Sequence, residues 1–355
     1  MIEKLILDDF RNYSEKSLEF EEKKIVFFGG NGRGKTNILE AISILSVGKS
    51  WRETAAVDLL RDDAESAQIR SVVHNGDQFR VQIQPRSRTF FRNDKKIPRH
   101  KFFGQIPSLL FAPEHLSLFS GAKRERQKFF DRFLAQLWPT YRENLARADR
   151  AVRQKNALFR EVWKDNSGIS EPGFENAIRP WNEILAESIP EVWRLRTKFL
   201  ASLAEPLQTQ LSEISAASDP VAVSLVSPEH FDPSPDGVRA FFSQNFARES
   251  AAKKCLLGPH RDDFLFSLRE RSLITTASRG EERSVLLALL AAQKNILSDF
   301  SGQVPVLLLD DCFSELDDDR QAALQKLCVG TQAFFTTTHE EHFARFDGDV
   351  QKIKI

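Results

Sequence analysis

Hydrophobic and polar positions alternate over much of the first 120 residues, as they do in short β-strands. The segments KLILDDF, KSLEF and KKIVFFG predict three strands, and QIRSVVHNGDQFRVQIQ predicts a hairpin with a two-residue turn at Asn75 and Gly76. Between Lys35 and Val47 the apolar residues recur with a helical period. The run QIPSLLFAPEHL predicts a buried strand that ends at Pro113. This part of the chain therefore has an α/β pattern.

The pattern changes at about Gly121, where apolar residues begin to recur at helical spacing. It continues to about Leu211, with a kink expected at Pro139. The last hundred residues again combine helix and strand patterns, including the strands VPVLLLD and QAFFTTT. We predict an α/β domain made of residues 1–120 and 251–355, with residues 121–250 as an inserted, mostly helical lobe. The strand VAVSLV is expected to return the chain to the α/β domain.

Composition and cysteine usage indicate an ordinary globular protein. Of the 355 residues, 41% are hydrophobic and 28% are charged, which suffices for a substantial core. The three cysteines are scattered, which argues against a disulfide framework or a zinc site and favours a reducing compartment. No apolar run approaches the roughly 20 residues of a membrane span, and the first residues include acids that a signal peptide lacks. We expect a cytoplasmic protein without a membrane partner.

Net charge is zero, but the charge is distributed unevenly. Between Lys123 and Arg160 there are eleven Lys and Arg against four acids, a local charge of +7. Between Gln84 and Lys101 there are seven basic residues against one acid, a local charge of +6. Such segments can attract a polyanion, or they can be a solvated helix face and a loop whose charges the fold neutralises. The sequence leaves both interpretations open.

The segment FFGGNGRGKTNILEAI contains the pattern G-x-x-x-x-G-K-T between a predicted strand and a predicted helix. Glycines let successive backbone N–H groups point at a phosphate, and the helix N-terminus adds positive potential. The lysine of such a loop reaches the β- and γ-phosphates, and its threonine hydroxyl binds Mg²⁺. We expect ATP-type nucleotide contacts from Gly29, Gly30, Asn31, Gly32, Arg33, Gly34, Lys35, Thr36 and Asn37.

The predicted strand VPVLLLD is followed by an acid pair. Asp310 is expected to hold Mg²⁺ and Asp311 to polarise the attacking water, so these residues and Lys35 are the catalytic candidates. Paired aspartates also occur as helix N-terminal signals, but here they follow a hydrophobic strand. The two motifs are 310 − 35 = 275 positions apart, more than a compact P-loop kinase or small GTPase has between them.

A third motif, TTASRGEERSVLLALLAAQ, precedes the acid pair. Ser278 and Gly280 stand at the start of a long apolar helix, which is a second site suited to phosphate. Since one P-loop already serves the nucleotide, this suggests a head-to-tail dimer in which each copy contacts the nucleotide of the other. The alternative is an ordinary serine N-cap with a glutamate three residues later.

The ordered set of motifs resembles the ABC-type ATPase heads of the SMC group and, within it, the RecF family of bacterial replication and repair proteins. The resemblance covers nearly the whole chain and is carried by FRNY, NGRGKTNILEAI, GKSWR, FAPEHL, LLGPHRDD, ASRGEER and LLLDDCFSELD. It implies an α/β fold, an ABC-type P-loop ATPase head with a mixed sheet and an inserted helical lobe.

The resemblance also implies a function. Members of the RecF family are ATP- and Mg²⁺-dependent homodimers that bind double-stranded and gapped DNA and work with RecO and RecR to load the RecA recombinase. We therefore expect a weak, DNA-stimulated ATPase associated with the nucleoid. The candidates for DNA contact lie in the two basic stretches and are Lys123, Arg124, Lys128, Arg92 and Lys95.

Family analogy adds further site residues. Arg11 and Asn12 are expected beside the nucleotide, and residues 314–317 along the dimer seam. His339 follows the strand QAFFTTT, where related ATPases have a switch histidine; a surface histidine beside two glutamates is the alternative. Glu114 lies near the position of the glutamine of the Q-loop, and that glutamine is missing here.

Two features depart from the family pattern or lack a role. Glu281 replaces the usual glutamine of the signature, and its charge near a γ-phosphate needs screening by Arg279, Arg283 or a second subunit, which affects turnover more than binding. The string GPHRDD has the residues for a metal site at His260 and Asp263, but we favour a hydrogen-bonded structural turn.

Two other classes of function share the P-loop and the acid pair. A nucleotide-binding subunit of a membrane transporter would lack FRNY and GPHRDD. An ATPase with a C-terminal nuclease domain would need more than the 355 − 311 = 44 residues that follow Asp311. We therefore favour the DNA-binding ATPase.

Overall fold

The computed structural model describes residues 1–52, 55–164, 171–215, 219–227, 229–339 and 348–355, which form two compact units. The P-loop unit comprises Met1–Leu116, Thr209–Ser218 and Ser278–Ile355, and the helical unit comprises Ser117–Gln208 and Asp219–Ala277.

The described strands are β1 (Ile2–Phe10), β2 (Tyr13–Glu19), β3 (Lys24–Phe28), β4 (Ala67–Val73), β5 (Gln78–Gln84), β6 (Ser87–Arg92), β7 (Lys95–Ile97), β8 (Ser108–Phe111), β9 (Val221–Val226), β10 (Asp263–Leu268), β11 (Arg271–Ser272), β12 (Val306–Leu309), β13 (Ala333–Thr337) and β14 (Val350–Lys354). The described helices are α1 (Lys35–Val47), α2 (Arg99–Phe102), α3 (Lys123–Leu137), α4 (Pro139–Lys164), α5 (Glu171–Ser215), α6 (Pro235–Gln244), α7 (Phe246–Ala252), α8 (Leu273–Thr276), α9 (Arg279–Ser301) and α10 (Asp318–Leu327). None of these helices is both long and apolar enough to cross a bilayer.

A five-stranded parallel sheet in the order β14-β3-β13-β12-β8 belongs to the P-loop unit. Every residue of β8, β12 and β13 is buried. Strands buried on both faces have continuous apolar sequences, which explains why SLLF and VLLL show no alternation. Because β13 lies between β3 and β12, the segments that follow these three strands meet at the carboxyl edge of the sheet.

A six-stranded antiparallel sheet, β2-β1-β4-β5-β6-β7, completes the P-loop unit. One hydrophobic core contains side chains from both sheets and from α1. The predicted hairpin is β4–β5, but three residues instead of two lie between its last hydrogen-bonded pair, in which the Val73 N–H donates to the Asp77 carbonyl at 3.0 Å. The third residue fits because Gly76 adopts the left-handed conformation, with φ 80°.

The helical unit combines helices with a small antiparallel sheet, β11-β10-β9. The segment VAVSLV, predicted to return to the α/β domain, is β9 and pairs instead with β10, where Leu225 lies opposite Phe264. Residues 251–277 therefore belong to the helical unit, and the boundary at residue 250 was misplaced. An alternating strand such as DFLFSL (β10) indicates which face is buried, but it does not indicate its partner strand.

Pro139 separates two helices. The predicted kink is a break between α3, which ends at Leu137, and α4, which begins at Pro139. Proline is well tolerated at a first helical position, because the N–H that it lacks would have no partner within the helix.

The string GPHRDD forms a short 3₁₀ turn inside the helical unit. The fully buried Arg196 donates to the Asp262 carboxylate at 2.6 Å and to the Pro259 carbonyl at 3.3 Å, and Gln127 donates to the Asp262 carbonyl at 2.5 Å. Arg126 binds the Asp263 carboxylate through two N–H groups at 2.8 Å each. These contacts support the structural-turn interpretation, and no cluster of metal-ligating side chains occurs among the described residues.

Candidate nucleotide-binding site

The P-loop, residues 29–36, connects β3 to α1 at the carboxyl edge of the parallel sheet. Gly34 is the N-cap of α1 and has φ 104°, a conformation that L side chains rarely adopt. A Cβ atom at this position would lie 2.6 Å from the Asn12 side chain and 2.8 Å from the Tyr13 hydroxyl. The backbone conformation therefore favours glycine here, and any side chain would also have to displace the ends of Asn12 and Tyr13. The first N–H groups of α1 face a loop without a capping side chain, which suits an anionic ligand.

Lys35 folds back over the loop. Its side-chain ammonium donates to the carbonyls of Gly29 at 2.7 Å and Gly30 at 2.8 Å. Burial lowers the pKa of Lys35, and the nearby carboxylates of Asp311 and Asp310 oppose that shift. The ammonium is thus already largely removed from water at the position where the motif predicts phosphate contact.

The structure brings Thr36 and Asp310 together. The Thr36 hydroxyl donates to Asp310 Oδ1 at 2.9 Å, and the Thr336 hydroxyl donates to the same oxygen at 2.6 Å. Burial raises the pKa of Asp310, whereas these two hydroxyl contacts act in the opposite direction. A carboxylate and a hydroxyl at this separation are ligands of the type that Mg²⁺ prefers. Asp311 has a left-handed backbone, φ 42°, fixed by its N–H donating to Thr336 Oγ1 at 2.9 Å.

A cavity of about 260 Å³ opens over the loop. Its lining contains the predicted residues Asn31, Gly32, Gly34, Lys35, Thr36, Asn37 and Asp311, together with Arg52 and the segment 336–338. Asn12 and Asp310 are not in the lining but bind residues that are, Asn37 and Thr36 respectively. Arg11 is also outside the lining, and it binds the Glu40 carboxylate that the cavity-lining Arg52 approaches. Asn12 donates to the Arg33 carbonyl at 3.0 Å and accepts from the Asn37 amide at 2.8 Å.

Glu40, which the sequence analysis did not identify, organises the arginines beside this cavity. Its fully buried carboxylate accepts two N–H groups of Arg11 at 2.9 and 2.8 Å and a hydroxyl from Ser50 at 2.5 Å. Arg52 lies 3.5 Å from the same carboxylate and donates to Asn37 Oδ1 at 2.9 Å. The sequence marks Glu40 only as a charged residue on an otherwise apolar helix face in NILEAI. FRNY and GKSWR are thus joined to α1 through one carboxylate.

Replacing Glu40 with alanine is expected to lower the free energy of unfolding by about 3 kcal/mol. The change leaves the Arg11 and Arg52 guanidinium groups close together without their shared counter-charge. Urea denaturation measures the effect. Glu19→Ala is the matched control, because Glu19 forms an exposed ion pair with Lys4 and its loss should change stability little. Equal losses in the two variants would contradict a special role for Glu40.

The predicted signature forms a complete capping box at the start of α9. Ser278 Oγ accepts from the Glu281 N–H at 3.2 Å, and the Glu281 carboxylate accepts from the Ser278 N–H at 2.8 Å. The N-cap alternative is therefore realised in this chain. The capping box is compatible with contact to a nucleotide held by a second copy, because Ser278 and Gly280 do not line the cavity of their own P-loop unit.

The remaining predicted residues occupy positions near the acid pair. Thr338 lines the cavity, and the exposed His339 follows it, with its N–H donating to Thr337 Oγ1 at 3.2 Å. The glutamates that the alternative interpretation places beside His339 lie outside the described residues. Ser314 donates to the Asp311 carbonyl at 2.9 Å. Glu114 lies in the 3₁₀ turn after β8, and its negative charge acts to raise the pKa of Asp310.

Acids neutralise part of the two basic stretches. In the helical unit, Lys155 forms a fully buried ion pair with Glu249 at 2.5 Å, and the Lys128 ammonium lies 2.7 Å from the Glu125 carboxylate. Lys123 and Arg124 are exposed at the start of α3. In the P-loop unit, Arg92 pairs with Asp77 at 2.7 Å, while Lys95 is exposed on β7. Lys123, Arg124 and Lys95 are thus exposed candidates for phosphate contact.

Comparison with known proteins gives consistent matches over the full chain. The family model described as RecF/RecN/SMC N terminal domain matches residues 1–354. The DNA replication and repair protein RecF of Carboxydothermus hydrogenoformans is 32% identical over 95% of this chain and 94% of the relative, and RecF of Streptococcus equi subsp. zooepidemicus is 30% identical over 100% and 96%. A solved structure of the recombination mediator protein RecF-ATPrS in the RecFOR pathway superposes with a TM-score of 0.87 at 25% identity, covering 99% of this chain and 96% of that one. The predicted fold class, an α/β ABC-type ATPase head, is confirmed.

Proposed function

Because the chain belongs to the RecF family within the RecF/RecN/SMC N-terminal domain group, we propose that it is an ATP-dependent DNA-binding protein of recombinational repair and replication restart. The observation that carries the proposal is the cavity at the carboxyl edge of the parallel sheet. There the P-loop, the Lys35 ammonium and the Asp310–Thr36 pair are assembled around a space suited to a triphosphate. The relatives are described as DNA replication and repair proteins, and solved relatives as RecF-ATP and RecF-ATPrS.

In this proposal ATP acts as a switch. Thr36 and Asp310 hold Mg²⁺, which neutralises part of the triphosphate charge when bound, and Asp311 orients and polarises the attacking water. Ser278 and Gly280 contact the γ-phosphate of ATP held by a second copy of the chain, so that ATP joins two copies. The α9 N-terminus is capped within its own first turn and lies outside the cavity of its own unit, and that placement supports this role.

Other residues refine the switch. Arg11 and Asn12 maintain the loop beside the nucleotide, consistent with their contacts to Glu40 and to the Arg33 carbonyl. Residues 314–317 follow the seam between the copies. His339 responds to the γ-phosphate, since it directly follows the cavity-lining Thr338.

The ATP-bound dimer is proposed to clamp double-stranded DNA at single-strand gaps. It would act with RecO and RecR, partners suggested by the RecFOR pathway of the solved relative, to promote RecA loading. Weak, DNA-stimulated ATP hydrolysis then releases the DNA. Such a protein works in the cytoplasm on the nucleoid. The exposed cations Lys123, Arg124 and Lys95 are the best placed to contact phosphate.

Sedimentation with gapped DNA, at several salt concentrations and with or without ATP, tests the proposal. We expect the complex to form with ATP, to contain two copies of the chain, and to weaken steeply as salt rises. Replacing Lys123, Arg124 and Lys128 together by alanine should reduce the slope of log affinity against log salt by about 1 for each cation that contacts a phosphate.

The matched control removes three cations of the same unit that are paired with acids, Arg194, Arg239 and Arg248. It should leave the salt slope nearly unchanged. DNA binding that is independent of ATP would contradict the switch. An unchanged slope in the Lys123, Arg124 and Lys128 variant would show that the start of α3 does not contact DNA phosphates.

A further inference from the structure

Arg320, in the first turn of α10, connects the loop after the acid pair to the signature helix. Its guanidinium donates to Ser284 Oγ on α9 at 3.0 Å through Nε and to the Asp317 carboxylate through Nη1. Its backbone N–H donates to the other Asp317 oxygen at 3.1 Å, which caps α10. One side chain therefore fixes the end of segment 314–317 against the first turns of α9.

The same guanidinium lies beside the signature glycine. A Cβ atom built on Gly280 would lie 3.0 Å from Arg320 Nη2 and 3.5 Å from its Cζ. Any larger residue at position 280 would thus displace the arginine or be displaced by it. The Nη1 end of this guanidinium is paired with Asp317, and its Nη2 end lies at the one point of α9 that must approach a phosphate if the signature acts on a second copy.

The local charge of α9 explains why a further cation matters. Its first turn contains Glu281 and Glu282, and Glu281 is held at the helix end by the capping box. Arg279 and Arg283 are the screening charges that the sequence of α9 itself provides. Arg320 is a third cation, contributed by another helix, and it is oriented by Ser284, which is almost completely buried. An arginine held by two partners keeps its remaining N–H groups in a fixed direction.

We propose that Arg320 is a positioning residue that aligns the signature with segment 314–317 and supplies the positive charge that lets a signature containing Glu281 accept the γ-phosphate of ATP bound by a second copy of the chain. This inference rests on the proposed function, because it requires a dimer joined by ATP. It assigns Arg320 to the site formed with the other copy and not to the cavity of its own P-loop unit, whose lining does not contain it.

The first test compares Arg320→Ala, Arg320→Lys and Lys326→Ala, the last of which removes an exposed charge from the same helix. Arg320→Ala should bind ATP as a monomer within about twofold of wild type, yet require at least about tenfold more protein to dimerise with ATP. Arg320→Lys, which keeps the charge without the fork of donors, should be intermediate. Lys326→Ala should behave as wild type. An Arg320→Ala protein that dimerises like wild type, or that loses ATP affinity as a monomer, would overturn the inference.

The second test separates action on the other copy from a structural effect on the same copy. Mixing Arg320→Ala with Lys35→Ala gives dimers with one site that combines an intact P-loop and an intact signature. At a protein concentration at which Arg320→Ala alone does not dimerise, ATP hydrolysis should therefore recover in the mixture although neither variant hydrolyses ATP by itself. No recovery would overturn the inference while leaving the proposed function in place. A wild-type chain that fails to dimerise with ATP would instead contradict the proposed function itself.

Discussion

Lys35→Ala is expected to abolish measurable ATP binding, a loss of at least about 100-fold in affinity. The structure gives the reason, since the Lys35 ammonium is buried against the Gly29 and Gly30 carbonyls and needs little further desolvation to meet a phosphate. A charge-assisted contact to a phosphate in such a site contributes about 3 kcal/mol, and each 1.4 kcal/mol corresponds to about tenfold in affinity. Titration with a fluorescent ATP analogue measures the effect.

The control for this prediction is Lys326→Ala, which removes the same charge from an exposed position on α10 and should retain wild-type affinity. A thermal melt checks that Lys35→Ala remains folded, because the substitution also leaves the two loop carbonyls without their donor. If the variant binds ATP as tightly as wild type, the triphosphate does not occupy the loop. The roles of Asp310 and Thr36 would then lose their basis.

The elements around this site were predictable because their signals are local. A strand, a glycine-rich loop and an apolar helix in direct succession identify the P-loop, and the buried strand before Asp310 identifies the acid pair. The parallel order β3, β13, β12 then brings the two motifs together without any further information from the sequence. Local patterns thus predicted the elements of the candidate nucleotide site.

What escaped prediction depends on pairing over distance. Glu40 accepts from Arg11 across 29 positions, and Arg196 donates to Asp262 across 66 positions. Helical periodicity marks Glu40 only as a polar residue on a buried face, and it does not name its partners. The same limitation applies to β9, whose alternation was recognised but whose pairing with β10 was not. When two segments are equally suitable partners for a side chain or a strand by composition, only the three-dimensional structure shows which of them is used.

Asp311→Asn is expected to preserve ATP binding and to accumulate the ATP-bound dimer, whereas Lys35→Ala should prevent ATP binding. The left-handed backbone of Asp311, held by its N–H donating to Thr336 Oγ1, directs the side chain independently of its charge. Asparagine tolerates this conformation and has nearly the same shape, so the substitution removes the negative charge alone. Loss of the base should slow hydrolysis by about 100-fold or more, and loss of the charge from the cavity lining should reduce repulsion of the triphosphate.

Size-exclusion chromatography with light scattering, in the presence of ATP and Mg²⁺, distinguishes the outcomes. Wild type should partition between one and two copies as it turns over, whereas Asp311→Asn should elute as two copies and return to one when ATP is removed. Asp319→Asn makes the same chemical change on the exposed first turn of α10 and should resemble wild type. An Asp311→Asn protein that binds ATP yet remains a single copy would rule out the shared nucleotide, because hydrolysis could then no longer account for the absence of a dimer. The capping box at Ser278 would in that case be the whole function of the signature sequence.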